Sequence, residues 1–313
     1  MMELTSPSQD SPLARTDAGR RLSVGMPAYN ASKFIRASIE SVLTQSFRDF
    51  ELIISDNAST DDTVAICEHY AALDERVTVI RNATNLGAHP NYRKLAQLAR
   101  GPYFKWASAN DLIAPDYFEH CVNRLDRRPD VVLAFGTTML FEDDPALGTP
   151  YEDGLDLQDD DAYLRFRRCI EGLKLNNVVN GVMRLEALRA TSFMPDYLGA
   201  DNLLLAELAL AGKFVQVPAT RFYRRMSRES ATRLQGSEAV MKHLYADRRK
   251  GSFQSWRLAH GYLNAVLFSD LPPAARLRGL AYVTRHAYWR APDLIADVRD
   301  AFRNCMPRGL RPK

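Results

Sequence analysis

The 313-residue chain has no apolar run long enough to span a bilayer. Its four cysteines, Cys67, Cys121, Cys169 and Cys305, are scattered without metal-ligand spacing and read as buried thiols in a reducing compartment. Charge of either sign is not in excess: 41 basic against 38 acidic residues leave +3, too little to argue for a nucleic-acid partner. There is no P-loop, no G-x-G-x-x-G and no nucleophile elbow, so a kinase, dehydrogenase or serine hydrolase has no positive support. His89, His243 and His260 show no paired spacing and read as structural or surface residues. Residues 1–20 lack the apolar core of a secretory signal and have the Ser, Pro, Asp and Gly content of a disordered leader. A cytoplasmic protein is expected.

The most informative stretch runs from Leu22 to Asp62. A short apolar run (Leu22, Val24, Met26) ends at Pro27-Ala28-Tyr29-Asn30. A helical pattern follows, with Phe34, Ile35, Ile39, Val42 and Leu43 on one face, then a second apolar run from Phe50 to Ile54. That run ends in Asp56-Asn57-Ala58-Ser59-Thr60-Asp61-Asp62. Strand, helix and strand joined by a right-handed crossover make the strands parallel, and ligands bind outside their carboxyl ends. The Pro27 and Asp56 loops are therefore expected side by side on one rim.

Further on, helices are expected at Thr63 to Leu73, His89 to Ala99, from Pro115 through Leu125, and at Ala162 to Ile170. Asp201 starts a strongly apolar helix closed by Gly212. Strands are expected at Val77 to Ile80, Tyr103 to Ala107, Val131 to Phe141, Val178 to Arg184, Phe214 to Val217 and Arg221 to Arg224. The alternation argues for a mostly parallel α/β sheet flanked by helices. Glu142 to Asp161, acidic and Gly/Pro-containing, reads as a surface loop of the kind that often acts as a lid or contacts a substrate. From about Ser237 the pattern is helical only and rich in Arg and aromatics. The expected division is a leader at 1–20, a catalytic domain at 21–235 and a helical region at 236–313.

The segment from about Arg21 to about Arg233 resembles the family 2 glycosyltransferases, inverting enzymes of GT-A fold. The first strand of that family ends in P-x-Y-N and the second in D-D-G-S-x-D, here Asp56 to Asp61. The resemblance implies that Asp56 binds the base of a nucleotide-sugar donor. A carboxylate accepts the N–H groups that uracil and guanine offer, whereas Ser59 or Asp61 is explained as a helix cap before Thr63. Pro27, Tyr29 and Asn30 are expected to wall the nucleoside, with capping an equal alternative for Asn30. Asn85 and Gly87 resemble the family's N-x-G loop.

Two departures bear on metal. Where the family has D-x-D-D-x-x-x-P this chain has Ser108-Ala109-Asn110-Asp111 and Pro115, leaving Asn110 and Asp111 as the nucleotide or metal contacts. Asp111 is read equally as a cap for the helix at Pro115. Met226 falls where many members have a metal-binding histidine. A hydroxyl, an amide and a thioether are poor ligands for Mg2+ or Mn2+. Weak or absent metal dependence is therefore expected, with Arg224, Arg225, Arg228 and Arg233 as alternative partners of the diphosphate or as a solvated basic edge.

Asp201 stands where related sequences place the catalytic base, and also where a helix cap would stand. The expected function is inverting transfer from a UDP, GDP or dTDP sugar to a glycan or lipid-linked acceptor in surface polysaccharide or glycoconjugate synthesis. The alternative is a degenerate, non-catalytic member that binds nucleotide or glycan as a regulatory or scaffold subunit. A sugar nucleotidyltransferase would need a Gly-rich phosphate loop that is missing. The Arg- and Trp-containing helices around Trp256 and Trp289 suggest peripheral contact with the inner face of a membrane.

Overall fold

The computed structural model describes residues 20–226, 245 and 253–305. The expected leader, Arg228, Arg233 and His243 lie outside them. The chain opens with β1 (Leu22–Ala28), α1 (Ile35–Leu43), β2 (Phe50–Asp56), α2 (Thr63–Leu73), β3 (Val77–Arg81), α3 (Ala88–Leu98) and β4 (Tyr103–Trp106). There follow β5 (Leu112–Ile113), α4 (Tyr117–Arg127), β6 (Val131–Phe141), β7 (Thr149–Tyr151), α5 (Ala162–Gly172), β8 (Val182–Arg184) and α6 (Leu185–Arg189). The last elements are α7 (Ala200–Ala211), β9 (Lys213–Arg225), α8 (Gln254–Leu267), α9 (Pro273–Trp289) and α10 (Ala291–Cys305).

The nine strands form one sheet in the order β3-β2-β1-β4-β8-β6-β9-β5, with β7 beside β6. It is parallel from β3 to β4 and again between β6 and β9, and antiparallel at β4/β8, β8/β6, β5/β9 and β6/β7. The half that begins the chain is therefore parallel, and the second half is mixed. Both faces are covered. Leu22, Val24 and Met26 of β1 point with Phe50, Leu52 and Ile54 into a core closed by α1, α2 and α4. Each such buried side chain contributes roughly 1.5–3 kcal/mol. Ile53, Phe104, Trp106 and Leu133 fill a second core under α3 and α7.

The apolar helix α7 is buried on two sides. Leu204, Leu205 and Leu208 join the second core, while Leu203 and Ala206 join a third with Tyr262, Val266 and Tyr282 of α8 and α9. A helix apolar all round is a helix covered all round, and α5 and α8 are the cover on this side, with α9 packed behind them. No helix among the described residues is long and apolar enough to cross a membrane. Cys67, Cys121 and Cys169 are buried free thiols.

Several expected elements change. Pro115 precedes α4 rather than opening it; its carbonyl accepts the Ser46 N–H at 2.7 Å. Val178 to Arg184 splits into a 3-10 turn (Asn177–Asn180) and the short β8. The two strands expected near the end of the domain are one, β9, whose register against β6 shifts at Gly136/Thr137, opposite Pro218-Ala219-Thr220. Pro218 has no N–H to give the ladder. Glu142 to Asp161 is not a free surface loop. It carries β7, a bridge from Leu157 to Phe214, and buried Asp153, Leu155 and Leu157.

Candidate active site

The rim expected from the first strand–helix–strand unit is present. Ala28 pairs with Asp56 at the carboxyl ends of β1 and β2, and the Asn57 N–H donates to the Ala28 carbonyl at 2.8 Å. Asn30 takes a left-handed φ of 46° and ties the two loops: its N–H donates to Ser59 Oγ at 2.9 Å, and its Oδ1 accepts the Thr60 N–H at 2.9 Å. It is not the α1 cap, a position held by Phe34. Ser59 is likewise used against Asn30 rather than as a cap. Asp61 does serve the start of α2, accepting the Thr63 N–H at 3.1 Å, and also holds the Ser32 N–H. Tyr29 stands exposed at the rim beside half-buried Pro27.

Asp56 is 2% exposed. Its Oδ2 accepts the Ser59 N–H at 3.1 Å, whereas its Oδ1 is buried with no hydrogen-bond partner. An unpaired buried carboxylate oxygen is costly in a finished fold, so this atom stands out on the rim as one with capacity to accept a donor.

Asn57 was not singled out from the sequence. Its Nδ2 donates to Asn85 Oδ1 at 2.7 Å and the Gly87 carbonyl at 3.2 Å, and its Oδ1 accepts the Leu86 N–H at 2.9 Å and Asn82 Nδ2 at 3.2 Å. Only an amide can donate twice and accept twice in this way. The Asn85–Gly87 loop is thereby fastened to the tip of β2, with Asn85 Oδ1 also capping the Gly87 N–H at 2.9 Å. Asn85 and Gly87 thus shape the rim through Asn57. The signal was the second position of the Asp56 loop, acidic in the family motif and an amide here.

Across the sheet, Ser108, Asn110 and Asp111 lie between β4 and β5. Asp111 does not cap α4: its Oδ1 accepts the Arg225 N–H at 2.8 Å. Burial pushes the Asp111 carboxyl above its ordinary range, against the pull of that N–H, of Arg224 and of Ser108. Asn110 is half-buried, and its carbonyl accepts Arg225 Nε at 3.0 Å. The Arg225 guanidinium also donates to the Glu142 carbonyl at 2.9 Å and lies 4.6 Å from the Phe34 ring centroid and 4.4 Å from that of Phe141. At 7% exposure it clamps the loop rather than facing a ligand. Arg224 is oriented differently. Its Nη1 donates to the Leu175 carbonyl at 2.5 Å and to Asn177 Oδ1, and its charge reaches Asp111.

Tyr92 of α3 stands amid these groups. Burial pushes its phenol up to about 12, with Asp111 and Asp201 adding to the shift and Ser108 and Arg224 opposing it. Asp201 itself is in the first turn of α7, behind Gly199 at φ 82°, so the glycine and not the aspartate holds the cap position. The Asp201 Oδ2 accepts Asn176 Nδ2 at 2.6 Å. The charges of Asp111 and Asp201 both act on the Tyr92 phenol, which a lone tyrosine in a helical pattern did not announce.

The donor set does not fit a resident divalent cation. Ser108 and Asn110 offer a hydroxyl and an amide where charged oxygens would be wanted, one Asp111 oxygen is taken by the Arg225 N–H, and the Arg224 charge acts on Asp111. Met226 continues β9, its N–H donating to the Phe141 carbonyl at 2.7 Å, and offers only a thioether. No three His, Cys, Asp or Glu side chains converge among the described residues.

Comparison with known proteins decides what the first half is. Residues 23–153 match the model of glycosyl transferase family 2. This stretch belongs to that family. The family 2 domain is 35% identical over 129 residues to a putative glycosyltransferase, EpsE, of Bacillus subtilis, covering 41% of this chain and 46% of that protein. It is 36% identical over 113 residues to a chondroitin synthase of Escherichia coli, covering 36% of this chain and 16% of that protein. The chain thus spans less than half the length of these curated relatives. Among solved structures, S. aureus TarS 1–349 in complex with UDP-GlcNAc matches with a TM-score of 0.65 at 18% identity, over 84% of this chain and 71% of that one. The mannosyltransferase PcManGT of Pyrobaculum calidifontis, in complex with GDP-Man and Mn2+, matches with a TM-score of 0.56 at 17% identity, over 91% and 76%. These likenesses establish the fold, the GT-A arrangement, across the second half as well.

Proposed function

We propose that the protein is an inverting glycosyltransferase, moving a sugar from a nucleotide diphosphate sugar to a glycan or lipid-linked acceptor in surface polysaccharide or glycoconjugate synthesis. The observation that carries this reading is the buried, unpaired Asp56 Oδ1 on a rim shared with exposed Tyr29. A pyrimidine imide or a guanine N–H would complete the carboxylate while the base lies against the tyrosine ring. The likeness to a chondroitin synthase and to a putative teichuronic acid biosynthesis glycosyltransferase supports a saccharide acceptor, and the UDP-GlcNAc and GDP-Man held by the structural neighbours support a UDP or GDP donor.

In this reading the acceptor hydroxyl oxygen attacks the anomeric carbon from the face opposite the diphosphate. The new C–O bond forms as the bond to the diphosphate oxygen breaks; the electron pair leaves with the diphosphate and the hydroxyl proton passes to Asp201. Arg224 supplies positive charge on the leaving-group side. No step needs Mg2+ or Mn2+, so metal dependence is weak. Exposed Trp256, Trp289 and Phe268 on the Arg-bearing C-terminal helices support peripheral contact with the inner face of a membrane, where a lipid-linked acceptor would be met.

The test is release of nucleoside diphosphate from UDP-GlcNAc and GDP-mannose, with and without chelator, by wild type and Asp201→Asn. Chelator-resistant release that Asp201→Asn loses is expected. No release by wild type favours the non-catalytic alternative, a strict Mn2+ requirement overturns the metal-independent site, and an active Asp201→Asn removes Asp201 as the base.

A further inference from the structure

Between α5 and β8 the segment 174–180 touches both sides of the proposed reaction centre. Asn176 holds a left-handed φ of 54°. Its Nδ2 donates to Asp201 Oδ2 at 2.6 Å and to Asn202 Oδ1 at 2.5 Å. The Asp201 carboxylate can only accept, so the nitrogen of the amide must be the atom that faces it. The amide oxygen, Asn176 Oδ1, is buried without a partner.

The residues on either side are pinned to the rest of the domain. Leu175 O and Asn177 Oδ1 accept Arg224 Nη1. Asn177 Nδ2 donates to Asp153 Oδ1 at 2.8 Å, and Asp153 Oδ2 accepts Thr138 Oγ1 at 2.5 Å. Lys105 donates to the Asn180 carbonyl from beneath the Ser108–Asp111 loop. A non-glycine residue in the left-handed region is strained, and persists where its surroundings over-determine it. Here four attachments within six residues do so, and they leave the Asn176 amide nitrogen held against the Asp201 carboxylate and the neighbouring Asn202 Oδ1.

We propose that Asn176 is the positioning residue for Asp201, and that the segment 174–180 is a bracket fixing that carboxylate relative to Arg224. It rests on the reading of Asp201 as the base. The hydrogen bond selects one orientation of a half-buried carboxylate at the start of α7, and the bracket sets its separation from the charge that meets the diphosphate. A small displacement of a base from its proton costs on the order of 100-fold in rate.

The test uses the full chain and the nucleotide sugar that wild type hydrolyses. Asn176→Gly keeps the left-handed backbone without strain and removes only the amide. Asn176→Asp keeps the shape and places a second carboxylate against Asp201. Expected are turnover losses of roughly 10- to 100-fold for Asn176→Gly and more for Asn176→Asp, with the KM for the donor and calorimetric binding of its nucleoside diphosphate within about threefold of wild type. The double variant Asn176→Gly/Asp201→Asn is expected to be no slower than Asp201→Asn alone, because Asn176 acts through Asp201. A merely structural role predicts additive losses or weakened nucleotide binding and overturns the proposal, as does full turnover by Asn176→Gly. If Asp201→Asn itself turns over normally, it is the base assignment that has failed, a result distinguishable from an active Asn176→Gly beside an inactive Asp201→Asn.

Discussion

The two halves of the sheet build their share of the site in different ways. On the parallel side, Pro27 to Asn30, Asp56 to Asp61 and Asn82 to Gly87 are consecutive loops at the ends of adjacent strands, cross-linked by side chain to backbone bonds through Asn30 and Asn57. On the mixed side, Asp111, Asp153, Asn176, Asp201 and Arg224 come from five separate segments, and charged or amide side chains reach across the sheet to hold one another. The first arrangement makes a rim for a flat ligand. The second makes a spaced set of charges, which under the proposed function would serve a displacement with a leaving diphosphate.

If that division is right, mutations in the two halves fail differently. The largest effect is expected at Asp201→Asn, which lowers turnover by about 100- to 10,000-fold, the usual worth of a general base, while nucleotide titrations stay unchanged. A parallel loss of nucleotide affinity would merge the two regions. Arg225→Ala comes next and acts on stability. It strips guanidinium hydrogen bonds from the Asn110 and Glu142 carbonyls and a cation from between two rings. Denaturant unfolding should show a loss of about 2–4 kcal/mol. A neutral result would free Arg225 for the ligand.

Lys105 sharpens the comparison through pH. It is wholly buried in β4 between the two halves, and burial lowers its ammonium from 10.5 to about 7. The unfolded chain therefore holds more protons than the folded one between those values, so stability from this group rises with pH across that window and its full cost is present below about 7. Thermal midpoints of wild type should rise from pH 7 to pH 9 relative to those of Lys105→Met; parallel curves would contradict this. The smallest effect is expected at Ala58, which adopts φ 61° where the family motif has glycine. Ala58→Gly should stabilise by about 1 kcal/mol without altering turnover.

The same division explains what could be read from the sequence. β1, β2 and β6 are buried on both faces, so runs of closely spaced apolar residues announced them, and the motifs of the first half sit at the ends of β1 and β2 in chain order. β5, β7 and β8 are two or three residues long and carry no period to detect. Val178 and Val179 extend the apolar look of β8 backward into a 3-10 turn. Asp153 was lost in an acidic stretch that composition alone assigns to solvent, and Asn176 is one of several amides in its segment, set apart only by a contact 25 residues away. Arg224 and Arg225 looked equivalent as neighbours; strand alternation sends one toward Asn177 and the other between Phe34 and Phe141.

The central claim is that Asp56 Oδ1 awaits the base of a nucleotide-sugar donor. Calorimetric titration of UDP, GDP and dTDP into wild type and Asp56→Ala, each with Mn2+ and with chelator, tests it most directly. The account predicts that one nucleotide binds wild type under both conditions and that Asp56→Ala binds it roughly 10- to 100-fold more weakly, the worth of a charged hydrogen bond. Equal affinity in the two proteins, or no binding to wild type by any of the three, would contradict it.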